Sequence, residues 1–321
     1  RFRKFGNYIE FHLAFIFLFT GCEKKDSNVE FKVGIIQLVE HKALTSARQG
    51  FIDGLAESGY VEGQNIAVDY NNAQGEQANC VTIAQKLINN KNDIILAIAT
   101  PAAQAVANLT KSIPVVITAV TDPASAKLVA SNEVPGGNVT GTSDLTPVKA
   151  QIELIKKIIP QIQTVGLLYS SSEQNSKFQI EIAKQTCDSL GIKYLEGTVT
   201  SSNDIQQVAE SLIKKVDAIY VPTDNTVASA MATVTLVANE DKKPIFCGEE
   251  ALLEQGALAT YGIDYYQLGK QTATQAISIL RGEKKPAEMP IEYQKNLKFS
   301  VNMEVAKLLG IEIPEDLINF E

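Results

Sequence analysis

The sequence predicts a two-lobed α/β protein, each lobe a parallel sheet covered by helices on both faces. From Phe31 onward, short β-branched runs alternate with stretches of helical period, and that alternation belongs to βαβ units. The pattern then repeats. Val33-Gly34-Ile35-Ile36 is answered by Val165-Gly166-Leu167-Leu168, 132 residues on, and Gly59 by Gly191 at the same offset. Asp93-Ile94-Ile95 is answered by Asp217-Ala218-Ile219 at an offset of 124, so the second copy is eight residues shorter. Two copies of one α/β half, with their strand ends in step, read as a bilobed arrangement.

In chain order, VGII (33–36), NIAVDY (65–70), DIILAIA (93–99) and IPVVIT (113–118) are the strands of the first copy. They are near-continuous apolar runs, as strands buried on both faces must be. Leu44, Ala47, Phe51 and Leu55 share one face of the helix that Gly59 ends. PGGNVTGTSD (135–144) is glycine-rich but no Lys follows it, so it reads as a turn and a linking strand, not a phosphate loop. In the second copy, strand one ends at Tyr169 and strand three at Asp224, answering Gln37 and Thr100.

Ahead of the lobes, residues 1–21 combine Arg1, Arg3 and Lys4 with an apolar run from Phe11 to Phe19, then Thr20-Gly21-Cys22. A positive segment, a short apolar one and small residues are the layout of a secretory signal. The run is well short of the roughly 20 apolar residues of a membrane span. The cysteine after Thr-Gly resembles a bacterial lipoprotein signal, in which Cys22 is acylated; Phe19 stands where such signals usually carry an aliphatic residue. Residues 22–30 (CEKKDSNVE) are then a lipid-anchored tether.

The 321 residues suit two lobes of ordinary size. The 29 Lys and Arg against 37 Asp and Glu give a net charge of −8; taking away the three bases and one acid of 1–21 leaves 26 against 36, a net −10. So acidic a body, with no basic block, argues against nucleic acid. With Cys22 lipidated, Cys80, Cys187 and Cys247 are an odd set without C-x-x-C spacing, hence buried free thiols and no metal site.

In open parallel sheets, ligands bind beyond the carboxyl ends of the strands. Thr100-Pro101 and Thr121-Asp122-Pro123 are helix starts at such ends, and Ser170 to Asn175 and Asp224-Asn225 follow strands of the second copy. Hydroxyls, amides and helix-start N–H groups suit a carboxylate, while Asp224 and Glu249 suit an ammonium group. All of these residue types also serve as plain helix caps. Enzyme signatures are absent: there is no G-x-S-x-G, H-E-x-x-H, Walker A or G-x-G-x-x-G, and His41 is the only histidine after the signal. No cofactor, metal or catalytic residue is expected.

VGIIQ, GFIDGLAESGY, ATPAAQA, AVTDP, PGGNVTGTSD, YSSSEQNS, VDAIYVPTDN and SVNMEVAKLLGI, in that order over Lys32 to Pro314, resemble the substrate-binding lipoproteins of bacterial ABC transporters. The resemblance is to the branch that binds tryptophan and other aromatic amino acids. It implies a type I periplasmic-binding-protein fold, with two Rossmann-like (flavodoxin-like) lobes joined by three crossings near Gly141–Pro147, Tyr261–Tyr265 and Met289–Lys295. Residues 31–143 and about 265–289 would form the first lobe, and 144–264 and about 290–321 the second. The resemblance also implies ligand contacts at Gln37, Thr100 and Thr121 on one lobe and Ser171, Ser172, Asn175, Asp224, Asn225 and Glu249 on the other. Asp224 would take the ammonium, and Thr100, Thr121 and Ser171 the carboxylate. Expected partners are an amino acid, the permease and ATPase subunits of the importer, and the outer face of the cell membrane through the lipid on Cys22. A receptor for a membrane signalling partner would share these features. So would a sugar binder, which the lack of Trp disfavours.

Overall fold

The computed structural model describes residues 29–295 and 297–318; the predicted signal, Cys22 and most of the tether lie outside them. The first copy of the repeat runs β1 (Phe31–Gln37), α1 (Lys42–Glu57), β2 (Ile66–Asn72), α2 (Gln77–Asn89), β3 (Ile94–Ile98), α3 (Thr100–Leu109), β4 (Val115–Val120) and β5 (Val139–Ser143). The second runs α4 (Val148–Ile158), β6 (Thr164–Ser170), α5 (Gln174–Leu190), β7 (Lys193–Val199), α6 (Ile205–Ile213), β8 (Ala218–Val221), α7 (Asn225–Ser229), α8 (Met231–Glu240), β9 (Ile245–Cys247) and β10 (Ala259–Gly262). The chain closes with α9 (Tyr265–Leu280), β11 (Glu292–Tyr293), β12 (Lys298–Val301), α10 (Met303–Leu309) and α11 (Glu315–Ile318).

Two six-stranded sheets result, in the orders β11-β5-β4-β3-β1-β2 and β12-β10-β9-β8-β6-β7. Pairing is parallel throughout except that β12 runs antiparallel to β10 at the edge. In the second sheet the strand period of two is visible in the packing. Leu167, Tyr220 and Phe246 enter one core, while their neighbours Leu168, Ile219 and Cys247 enter another on the opposite face. Helices cover both faces, which is why these strands read as unbroken apolar runs. Cys80, Cys187 and Cys247 are buried and free; burial pushes the first two thiols up to about 11, so they stay protonated and inert.

The chain passes between lobes after β5, after β10 and between β11 and β12. The expectation gave residues from about 290 onward to the second lobe. Instead Glu292 and Tyr293 extend the first sheet, opposite Thr142 and Ser143. A two-residue strand has no periodicity by which a sequence could announce it. Helix α9, formed after the second crossing, lies along α1 of the first lobe. The contact is backbone to backbone: a β-carbon on Gly50 would enter the carbonyl of Tyr266, and one on Gly269 that of Ala47. Glycine at both positions lets the returning helix seat.

Candidate functional site

The carboxyl ends of the two sheets face each other, and the loops beyond them enclose a cavity of about 180 Å³. Leu38, Val39, Gln74 to Gln77 and Pro101 line it from the first lobe, and Ser172, Glu173, Thr200 to Ser202, Asn225, Thr226 and Ser229 from the second. The lobes also touch directly. Thr121 Oγ1 lies 3.2 Å from Thr223 Oγ1, Gln179 Nε2 reaches Thr121 Oγ1 at 3.5 Å, and His41 Nε2 lies 3.2 Å from Asn225 Oδ1. Lys42 pairs with Glu254 on the exposed rim.

On the first lobe, Thr100 and Thr121 both follow backbone irregularities. Ala99 has φ 82° and ψ 152°, and Ala119 has φ 54°; both are uncommon for a residue with a β-carbon. The register of β4 against β5 shifts between Ile117 and Val120, and such a bulge re-aims the residues after it. Thr100 opens α3 with its hydroxyl buried and without a hydrogen-bond partner. The Thr121 hydroxyl donates to Asp144 Oδ1 at 3.0 Å. Gln37 is fully buried, donating to the Val39 carbonyl at 2.9 Å and to Thr45 Oγ1 at 3.4 Å, and so holds the loop after β1.

On the second lobe, the Asp224 carboxylate is committed to its own lobe. It accepts from Ser170 N at 2.6 Å, Ser176 Oγ at 2.6 Å and, as cap of α7, Val227 N at 2.8 Å. Burial, reinforced by the charge on Glu173, pushes its carboxyl up to about 7. Ser171 turns to the Val199 carbonyl and lies away from the cavity, whereas Ser172 lines it. Asn175 donates to the Thr223 carbonyl at 2.9 Å and to Glu173 Oε2 at 3.1 Å, while its Oδ1 has no partner. Asn225 donates to Glu173 Oε2 at 2.6 Å. Glu249, after β9, is 2% exposed, and its Oε2 lacks a partner. Burial first, then Asp144, Asp224 and Glu173, raise its pKa well above the usual carboxylate range.

Glu173 stood in the expected run from Ser170 to Asn175 but was given no role of its own, yet it is the centre of the second lobe's wall. Besides the two asparagine amides, it accepts from Asn225 N at 3.2 Å, Thr226 N at 2.9 Å and Thr226 Oγ1 at 2.8 Å. It thus caps a helix 52 residues further along the chain. A glutamate before α5 looks in sequence like a local cap, and nothing nearby announces the distant one. Gln179, Thr223 and Asp144 were likewise unmarked. Four carboxyl groups, Asp144, Glu173, Asp224 and Glu249, are at most 4% exposed. Neither Lys nor Arg is among the cavity-lining residues, and among the described residues no group is arranged to hold a metal ion. Unpaired buried acids of this kind attract an organic cation or keep a proton.

Two parallel α/β lobes, three crossings and a polar cleft at facing strand ends define a periplasmic-binding protein of type I. The family model described as ABC transporter substrate binding protein matches residues 32–320, and the chain belongs to that family. It is 41% identical over 290 residues to the tyrosine-binding protein of Clostridioides difficile (strain R20291), covering 90% of this chain and 84% of the relative. A Streptococcus pneumoniae ABC domain in complex with L-Trp is 42% identical, with a TM-score of 0.87, over 91% of this chain and 98% of that one. The ligand-free, open structure of a Clostridium difficile substrate-binding protein with adhesive properties is 43% identical, over 89% and 97%, but its TM-score is 0.68. At nearly equal identity, the lobes therefore sit closer to the arrangement of the L-Trp complex. The direct contacts across the cleft show the lobes of this chain closed on each other.

Proposed function

We propose that this chain is the extracytoplasmic receptor of an ABC importer, which closes its lobes on an aromatic L-amino acid and hands it to a permease. The observation that carries the reading is a set of buried polar atoms without partners at the facing strand ends of the two lobes, behind the residues that line the cavity: Thr100 Oγ1 in the first lobe, Asn175 Oδ1 and Glu249 Oε2 in the second. A buried polar group without a partner costs about 1–3 kcal/mol, and a zwitterion supplies partners for both walls. Its carboxylate takes the Thr100 hydroxyl and the open N–H groups at the start of α3, where the helix dipole favours an anion. Its ammonium takes Glu249, releasing any proton held there, and the field of Asp224 and Glu173 adds to the attraction. Leu38, Val39 and Pro101 offer apolar surface to a ring. Thr121 and Gln37 act as supports for the wall and the loop, and Asn225 and Ser172 border the ligand.

The tyrosine-binding relative and the L-Trp complex support the choice of ligand class. A thermal-shift screen against the twenty amino acids tests it. A ligand at 100 times its Kd adds about 2.7 kcal/mol, so L-Tyr or L-Trp should raise the Tm; a screen in which no amino acid does so overturns the reading. Losing a charge-assisted contact worth about 1.5–3 kcal/mol, Glu249→Gln should weaken binding roughly 10- to 150-fold, and unchanged affinity removes Glu249 from the ammonium site.

The same reading ties the receptor to the outer face of the membrane through lipid on Cys22, with residues 22–30 as tether. Among the described residues no helix is long and apolar enough to cross a membrane. Palmitate analogue fed to expressing cells should label the wild-type protein and leave Cys22→Ala unlabelled. Equal labelling of both would place the lipid elsewhere.

A further inference from the structure

We propose that His41, hydrogen-bonded across the cleft to Asn225 on the Glu173 carboxylate, is a latch between the lobes that loosens when the imidazole takes a proton. The inference rests on the reading of the cleft as a closing ligand site. His41 ends the loop after β1 and immediately precedes α1; Asn225 opens α7 on the other lobe. Their contact, Nε2 to Oδ1 at 3.2 Å, requires the closed arrangement. Asn225 is held for it from behind, its amide donating to Glu173 Oε2 at 2.6 Å. The tautomer that carries the proton on Nε2 donates and completes a relay from the first lobe to the buried carboxylate.

The charged groups around the ring set the sign of the effect. Glu173, at the head of α5, faces it across the cleft and favours the imidazolium; Glu40 and Lys42 flank it in the chain, and Lys42 is drawn away to Glu254. Against Glu173 stands the partial withdrawal of the ring from water between the lobes, where the residue is half-buried; this is the larger influence and lowers its pKa in the closed form. Swung open, the ring meets water and regains an ordinary pKa near 6.5. A base whose pKa is depressed on closing favours the closed state above the open-state value. That advantage is lost as pH falls from there towards the closed-state value. Asp144, Asp224 and Glu249 act in the opposite sense, since burial raises them and acid favours their closed forms. The latch is therefore read as a difference between wild type and His41→Gln, whose amide N–H still donates but does not titrate.

Small-angle scattering between pH 7.5 and 5.5 without added ligand reports closure directly, and L-Tyr or L-Trp titrations over the same range report retention. As pH falls, the wild-type radius of gyration should rise relative to that of the Gln variant. The ratio of the two dissociation constants should also rise, by at most roughly tenfold at pH 5.5, the limit for one proton with an open-state pKa near 6.5. Proton NMR of the imidazole should show its pKa falling when ligand is added. If the two proteins track each other in size and affinity at every pH, or the imidazole pKa rises on closing, the latch is overturned. If neither amino acid binds while scattering still responds through His41, the latch stands and the amino-acid reading fails.

Discussion

At Ala99 the chain takes a φ, ψ combination of 82° and 152°, a region that glycine occupies freely and a β-carbon makes costly. The residue after it is Thr100, whose buried hydroxyl is unpaired, so the strained peptide sets the direction of a proposed ligand contact. Thr100-Pro101 was legible as a helix start from residue types alone, but no residue type marks alanine as a corner. The consequence is measurable. Relief of about 1–3 kcal/mol of strain, less about 0.5–1 kcal/mol for the greater freedom of glycine when unfolded, should make Ala99→Gly more stable by about 1 kcal/mol. Calorimetry should find a Tm a few degrees higher, and a lower Tm would mean that the alanine conformation is not strained. The same variant loosens the peptide that aims Thr100, so greater stability should come with weaker ligand binding.

Among the elements, legibility followed burial. Strands β1, β3 and β4 are buried along nearly their whole length, so their apolar runs stood out and the repeat could be measured from them. The side-by-side lie of α1 and α9 was harder, because it depends on Gly50 and Gly269 meeting backbone more than 200 residues apart in the chain. Site residues divide in the same way. Thr100, Thr121, Asn175 and Asn225 stand at strand ends or helix starts, and sequence position alone brought them forward. Asp224 was legible as an acid at a strand end, but its partners were not. Ser170 N and Ser176 Oγ belong to another strand and another helix, and they engage the carboxylate that the sequence left free for an ammonium group. Glu173 is the converse, a residue with an ordinary local appearance whose five donors converge only in the folded lobe.

For the whole molecule, opening and closing must be absorbed where the chain crosses between lobes, and two of the crossings meet at one buried carboxylate. Asp144 follows β5 where the chain leaves the first lobe, and Tyr265 begins α9 where it returns. The Tyr265 hydroxyl donates to Asp144 Oδ2 at 2.7 Å, and Thr121 donates to Oδ1 at 3.0 Å. Burial raises the Asp144 pKa, and these two donors hold it down. A carboxyl raised in the folded state costs stability at pH values above its folded pKa and regains it as pH falls through that value. Tyr265→Phe removes one donor while keeping the ring packed, so the carboxylate loses a charge-assisted bond worth about 1.5–3 kcal/mol and its pKa climbs further. The loss of Tm should therefore be largest near neutral pH, several degrees, and should shrink in acid as the carboxyl takes its own proton. With the tie between crossings gone, the radius of gyration without added ligand should also move towards an open form. A Tm loss that is the same at pH 5 and pH 7.5 would show that the hydroxyl matters for packing alone, and an unchanged radius would show that the tie does not govern the hinge.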